Sequence, residues 1–139
     1  MKKKYLIATH GEMAGGLQSS LKVLADKGEQ VSVINAYLTD ADFTPDLIAF
    51  IESISAEEQG VIFTDLFGGS VNQKAVTEVM KRQAQNIFIV SNVNLAIILT
   101  FLFDLDGKDL TTELIEEAIA TCQVQLVKPI DLNEDDSIF

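Results

Sequence analysis

The chain has 139 residues, the length of one ordinary domain, and 47% of them are hydrophobic, which suits a sheet covered on both faces and excludes a disordered chain. Ten Lys and Arg against 21 Asp and Glu give a formal net charge of -11, which opposes binding to nucleic acid or anionic lipid and favours partners with a basic face. A lone Cys122 cannot form an internal disulfide, the apolar run after Met1-Lys2-Lys3-Lys4 is too short for a secretory signal, and the longest apolar block, Leu95 to Phe103, falls well short of the roughly 20 residues that span a bilayer. These features predict a cytoplasmic protein.

Taken in order, apolar runs of strand length alternate with segments of helical period, the pattern of a doubly wound α/β fold with a mainly parallel sheet. Tyr5 to Thr9 is apolar at nearly every residue and reads as a central strand. After the loop at His10, Leu17, Leu21 and Leu24 recur at helical spacing, and Gly28 reads as the helix stop. Val31 to Ala36 is a second strand. Thr44 as N-cap and Pro45 in the first turn open a helix whose inner face is Leu47, Ile48, Ile51 and Ile54. The third strand, Gly60 to Thr64, ends at Asp65, and Gly68-Gly69-Ser70 leads into a helix with Val71, Ala75, Val76, Val79 and Met80 inward. Ile87 to Ser91 is the fourth strand, and Asn92-Val93-Asn94 carries the chain into the apolar block, read as a buried helix. Leu114, Ile115, Ala118 and Ile119 mark the last helix. Val124 to Val127 then alternates apolar and polar residues before Pro129, which reads as an antiparallel edge strand. The expected organisation is a single domain over residues 1–132 and a solvated acidic tail over 133–139.

In open doubly wound sheets, ligands sit beyond the carboxyl ends of the strands, where the order of connection reverses. A 2-1-3-4 order makes strands 1 and 3 neighbours and brings together His10, the only histidine, Asp65 and the Gly68-Gly69-Ser70 turn. Such a group suits acceptance of a phosphoryl group on imidazole. A carboxylate on one ring nitrogen fixes the tautomer and leaves the other lone pair free to attack, although it also favours the non-nucleophilic imidazolium. Backbone N–H groups of Gly68, Gly69 and Ser70 at a helix N-terminus, with the Ser70 hydroxyl, could receive the anion. The scheme requires neither metal nor cofactor.

Plainer readings exist for each piece: His10 as a hydrogen-bonded loop residue, Asp65 as a cap, Gly68-Gly69 as a turn, Cys122 as a small core residue and Lys2 to Lys4 as a solvated terminus. A hydrolase using Ser70, His10 and Asp65 as nucleophile, base and orienter is one rival, weakened because Gly68-Gly69-Ser70-Val71-Asn72 lacks the second glycine of G-x-S-x-G. A regulatory, phosphorylatable binding module of the same fold is another. No phosphate loop of nucleotide enzymes follows any strand, and the first strand ends in His10 rather than the acidic cluster of a phosphoaspartate receiver.

Thr9-His10-Gly11 after the first strand, Asp65 with Gly68-Gly69-Ser70 after the third and Asn92-Val93-Asn94-Leu95 after the fourth together resemble the IIA component of the mannose-family sugar phosphotransferase systems, from about Leu6 to Pro129. The resemblance implies a phosphotransferase that takes a phosphoryl group from the phosphohistidine of HPr and passes it to a IIB component, ahead of sugar phosphorylation at the membrane permease. It matches His10 to the phosphorylated histidine, Asp65 to its carboxylate partner and Ser70 to a hydroxyl of the phosphate pocket, with Thr9, Gly11, Gly68 and Gly69 as further phosphate-binding residues. It further implies a homodimer that exchanges a C-terminal strand, here Val124 to Val127. Val71 stands where the family often has proline, and Ala96-Ile97 where Pro-Met is common. The resemblance leaves the sugar open among mannose, fructose, sorbose and related sugars or sugar acids.

Overall fold

The computed structural model describes residues 2–129; the tail expected at 133–139 lies outside them. Four parallel strands, β1 (Lys2–His10), β2 (Val31–Ala36), β3 (Glu58–Thr64) and β4 (Ile87–Val90), form one sheet in the order β2-β1-β3-β4. Five helices connect and cover them: α1 (Met13–Ala25), α2 (Thr44–Glu52), α3 (Ser70–Lys81), α4 (Leu95–Leu102) and α5 (Thr112–Thr121), with a short 3-10 turn at Gly28–Gln30.

Side chains alternate across a strand, so β1 and β3 feed two cores. Tyr5, Ile7, Val61 and Phe63 point to the layer of α1, α4 and α5, where Phe101 sets its ring edge on Phe63 at 5.2 Å. Leu6, Ala8 and Ile62 face α2 and α3, against Leu47, Ile51, Val71 and Ala75. With both faces covered, the central strands must be apolar throughout, which is why β1 and β3 read as unbroken runs. The apolar block at Leu95 is the buried helix α4, and no helix among the described residues is long and apolar enough to cross a membrane. Asn94 caps it, accepting the Ile97 N–H at 2.9 Å, and its amide also donates to the Cys122 carbonyl at 2.6 Å, tying α4 to the end of α5.

Several local expectations are corrected. Met80, read as inward, is exposed because it lies half a turn around α3 from the buried Val71, on the outer face, and Leu24, in the last turn of α1, is exposed as well. Helix α1 stops at Asp26, whose backbone is left-handed (φ 53°), and not at Gly28. Gly28 is glycine for space, since a Cβ there would lie 2.9 Å from the Gln18 carbonyl oxygen. Thr44 is the first helical residue of α2 rather than its cap; Asp42 accepts both its N–H (2.9 Å) and its hydroxyl (2.6 Å). Lys2 to Lys4 belong to β1, where Lys3 and Lys4 donate to the carbonyls of Asp106 and Ser53. Val124 to Val127 forms no strand with any described part of its own chain, and its apolar side chains are exposed. An alternating pattern becomes a strand only when a ladder partner is present.

Phe101 is completely buried. Phe101→Ala is expected to cost about 3–5 kcal/mol of stability, read as a lowered urea midpoint with an unchanged slope.

Candidate functional site

The site is assembled where β1, β2 and β3 end side by side. Registers Ala8↔Thr64 and His10↔Ala36 set the residues that follow β3 and β2 beside the last residue of β1. Gly11, at φ +63°, turns the chain sharply towards α1 and donates to the Ala36 carbonyl at 2.8 Å. Thr9 is fully buried, and its hydroxyl accepts the Ala14 N–H at 2.8 Å, so it braces the turn behind His10.

Asp65 grips His10 twice through one oxygen. Oδ2 accepts the His10 backbone N–H and lies 2.9 Å from Nδ1, the same distance for both contacts. A carboxylate can only accept, so Nδ1 carries the proton and the neutral ring presents its lone pair at Nε2. The other oxygen, Oδ1, is buried with no hydrogen-bond partner. Burial alone would raise the Asp65 pKa; the backbone and ring hydrogen bonds from His10, with its charge, outweigh that and hold the carboxyl below its usual range.

Ser70, the first residue of α3, lies with Oγ 3.1 Å from Nε2. The loop that delivers it is shaped by two glycines. Gly68 adopts φ +76°, where L side chains are strained, and a Cβ on Gly69 would lie 3.1 Å from the Leu66 Cβ and 3.7 Å from the His10 Cε1. Asn92 anchors the loop from the β4 side by accepting the Phe67 N–H at 2.8 Å. Below it, Thr64, Asn72 and Ser91 form a hydrogen-bonded cluster. The N-terminal end of α3, with the positive end of its dipole, therefore sits beside the imidazole.

Of the residues expected here, His10, Asp65, Gly69 and Ser70 come together and Gly11 and Gly68 shape the turns; Thr9, expected to bind phosphate, is instead fully buried behind the site with its hydroxyl on the Ala14 N–H. Sequence reasoning missed Tyr37. Its ring lies 5.2 Å from the His10 ring and its hydroxyl donates to Ser70 Oγ at 3.0 Å. The signal was available: Tyr37 directly follows β2, the other neighbour of β1 in the expected order. Among the described residues, no cluster of three or more His, Cys, Asp or Glu could hold a metal ion.

The arrangement offers a nucleophilic nitrogen in a partly open crevice, with His10 about 40% exposed, an orienting carboxylate behind it and donors in front. A groove of about 420 Å³ leads away from Tyr37 and Ser70 along α3 past Lys74, Glu78 and Lys81, the last two paired at 3.5 Å.

The family model described as PTS system fructose IIA component matches residues 4–119. The chain is also similar in structure to a Klebsiella pneumoniae protein described as a phosphoenolpyruvate-dependent sugar phosphotransferase system permease, with 28% identity, a TM-score of 0.74, and coverage of 89% of this chain and 91% of that one. The mannose/sorbose specific IIA subunit from Enterococcus faecalis shares the fold at 19% identity and a TM-score of 0.73, over 96% of this chain and 100% of that one. So does the PTS IIA protein associated with the fucose utilization operon of Streptococcus pneumoniae, at 18% identity and 0.73, over 90% and 93%. No curated protein matches the chain significantly in sequence.

Because the folded Asp65 is more acidic than the unfolded one, its contribution to stability is complete above the ordinary carboxylate pKa of about 3.9 and is lost as pH falls through the lower folded value. The Tm difference between the native chain and Asp65→Asn is therefore expected to be constant at mildly acidic pH and to shrink below about pH 4, as read by calorimetry across a pH series.

Proposed function

The chain belongs to the PTS system fructose IIA component family, and from that premise we propose that it is a cytoplasmic phosphocarrier that accepts a phosphoryl group from phospho-HPr on His10 Nε2 and passes it to a IIB component during sugar uptake. The observation that carries this reading is the single Asp65 oxygen bound to both the backbone and Nδ1 of His10. It leaves one ring nitrogen, in a fixed direction, to react.

In the forward step the Nε2 lone pair attacks phosphorus in line. The new Nε2–P bond forms as the N–P bond of the donor breaks, and that electron pair stays on the donor nitrogen. Nδ1 keeps its proton, so the phosphorylated ring gains cationic character against Asp65. A carboxylate with one oxygen unsatisfied and little water around it interacts strongly with that charge. Ser70 and the first N–H groups of α3 face the transferring anion. Transfer to IIB is the same displacement with the roles exchanged.

The contacts among Ser70, His10 and Asp65 also have the order of a serine hydrolase, and this favours a second reading in which Ser70 attacks an acyl group. Family membership and the missing second glycine of a nucleophile elbow weigh against it. A binding module that is phosphorylated without passing the group on would differ only in failing to charge IIB.

We also propose a homodimer in which residues 124–127 pair with the partner copy. Among the described residues of a single chain, Val124, Leu126 and Val127 expose apolar surface, and β4 is an unpaired sheet edge beside a cavity of about 330 Å³ that Val124 helps to line. A chain ending at Gln123 is expected to sediment as a monomer, and the 139-residue chain as a dimer.

The decisive experiment is intact-protein mass after incubation with phosphoenolpyruvate, enzyme I and HPr. The expected result is one acid-labile phosphoryl group on the native chain and none on His10→Ala. Asp65→Asn should still be labelled, roughly 10–100-fold more slowly, the usual size of effect when a histidine loses its orienting partner. An unlabelled native chain, with HPr itself phosphorylated, would move the assignment to the hydrolase.

A further inference from the structure

Tyr37 combines features that packing alone does not require. It has a left-handed backbone (φ +67°), a conformation that is costly for a bulky side chain with a Cβ and that persists where surrounding structure enforces it. It is nevertheless 55% exposed, so the strain is not repaid by deep burial of its ring. The ring is held between two others: Phe43 meets it edge-on at 5.5 Å and 86°, and the His10 ring lies 5.2 Å away, tilted by 34°. This geometry aims the hydroxyl at Ser70 Oγ, 3.0 Å away.

Proton counting gives the contact a direction. His10 Nδ1 spends its proton on Asp65, so Nε2 accepts, and the group 3.1 Å from it, Ser70 Oγ, must donate. A serine hydroxyl has one proton. With that proton on Nε2, its oxygen accepts the proton of Tyr37. The chain of donors runs from Tyr37 to Ser70 to His10, and it ends on the lone pair that reacts.

We propose that Tyr37 is a phosphoryl-binding donor of this site: its hydroxyl holds Ser70 over Nε2 in the unmodified protein and turns to a phosphoryl oxygen once His10 carries the group. This rests on the proposed phosphocarrier reading, in that it takes His10 Nε2 as the modified atom. When the Nε2–P bond forms, Ser70 loses the lone pair it was bonded to and re-aims at a phosphoryl oxygen. Tyr37 then loses its fixed acceptor next to a group that offers three strong acceptors. Neither residue gives up its proton, so the transfer remains a displacement between two ring nitrogens with no change in proton count.

The test is Tyr37→Phe, which keeps the ring and its contacts with Phe43 and removes only the hydroxyl. His10 is the sole histidine, so potassium phosphoramidate can phosphorylate it without HPr, and every phosphohistidine signal belongs to that residue. Phosphorus NMR across a pH series then reads the phosphoryl group directly. A donor to the dianion lowers the second phosphate pKa, so Tyr37→Phe is expected to raise it and to release the phosphoryl group roughly tenfold faster, the size expected from loss of one hydrogen bond to a charged group. A merely structural Tyr37 would leave the phosphate titration where it was. Identical titration and release in the two proteins would overturn the inference while leaving the phosphocarrier reading intact. A phosphoramidate-labelled native chain that HPr cannot label would instead overturn the phosphocarrier reading, with the Tyr37 comparison still measured on the labelled protein.

Discussion

One carboxylate oxygen, Asp65 Oδ2, joins the end of β1 to the end of β3 by accepting both the main-chain N–H and the ring N–H of His10. The two bonds have different consequences. The backbone bond fixes where β1 stops and the turn at Gly11 begins; the ring bond fixes which imidazole nitrogen faces outward. Its second oxygen is buried without a hydrogen-bond partner among the described residues, and an unpaired buried carboxylate oxygen carries a desolvation cost. The two hydrogen bonds from His10 outweigh the desolvation of the carboxylate, so the stability of the carboxylate and the orientation of the histidine are the same interaction seen from two ends.

Neither bond would exist without the ladder beneath it. Parallel pairing of β1 with β2 and β3, in one register, brings three consecutive loops to a common edge. The side chains that meet there come from residues 10, 37, 65 and 70, and none of them needs a long or mobile loop to reach the others. Rigidity is supplied from below by the two cores, whose central strands are buried on both faces. Of the six left-handed positions among the described residues, Asp26 and Gln83 lie just past the ends of α1 and α3, and four lie above, at Gly11, Tyr37, Gly68 and Asn92. Two are glycines that adopt this backbone readily. Tyr37 and Asn92 are not, and each uses its side chain on the site or its loop, Tyr37 on Ser70 and Asn92 on Phe67.

The order of strands and the meeting of His10 with Asp65 and Ser70 were legible because they depend on coarse features. Unbroken apolar runs identify central strands, and a doubly wound sheet has a defined place where its strand ends face a crevice. What could not be read depends on finer geometry. Periodicity identifies the inner stripe of α1 and α3 but not its width: Met80 follows the buried Val79 by one residue and already lies on the outer face, and Leu24, at the end of the α1 stripe, is exposed. The alternation at Val124 to Val127 is a preference without a partner, and a strand is a property of two chains of backbone groups rather than one. The strand order places Tyr37 at the crevice, directly after β2, but not the direction of its side chain: the positive φ that turns its hydroxyl back over the site has no signature in the residue type, since aromatic residues seldom adopt it.

A carrier that exchanges its cargo with other proteins faces opposed requirements, and the layout of this site bears on both. The reacting nitrogen must be reachable by a partner's ring, which an enclosed pocket would prevent, and the crevice is accordingly open, with Leu66 and Phe67 exposed on the loop beside it. An open site cannot exclude water by itself. Under the proposed function, water is excluded when a partner covers that loop, whose apolar side chains gain from burial only in the complex. Between encounters, the donors already fixed at Ser70, at Tyr37 and along the first turn of α3 would have to hold the anion. A site that relies on pre-aimed donors rather than on a lid can bind its cargo without a closing motion, and can release it as soon as a better-placed nucleophile arrives.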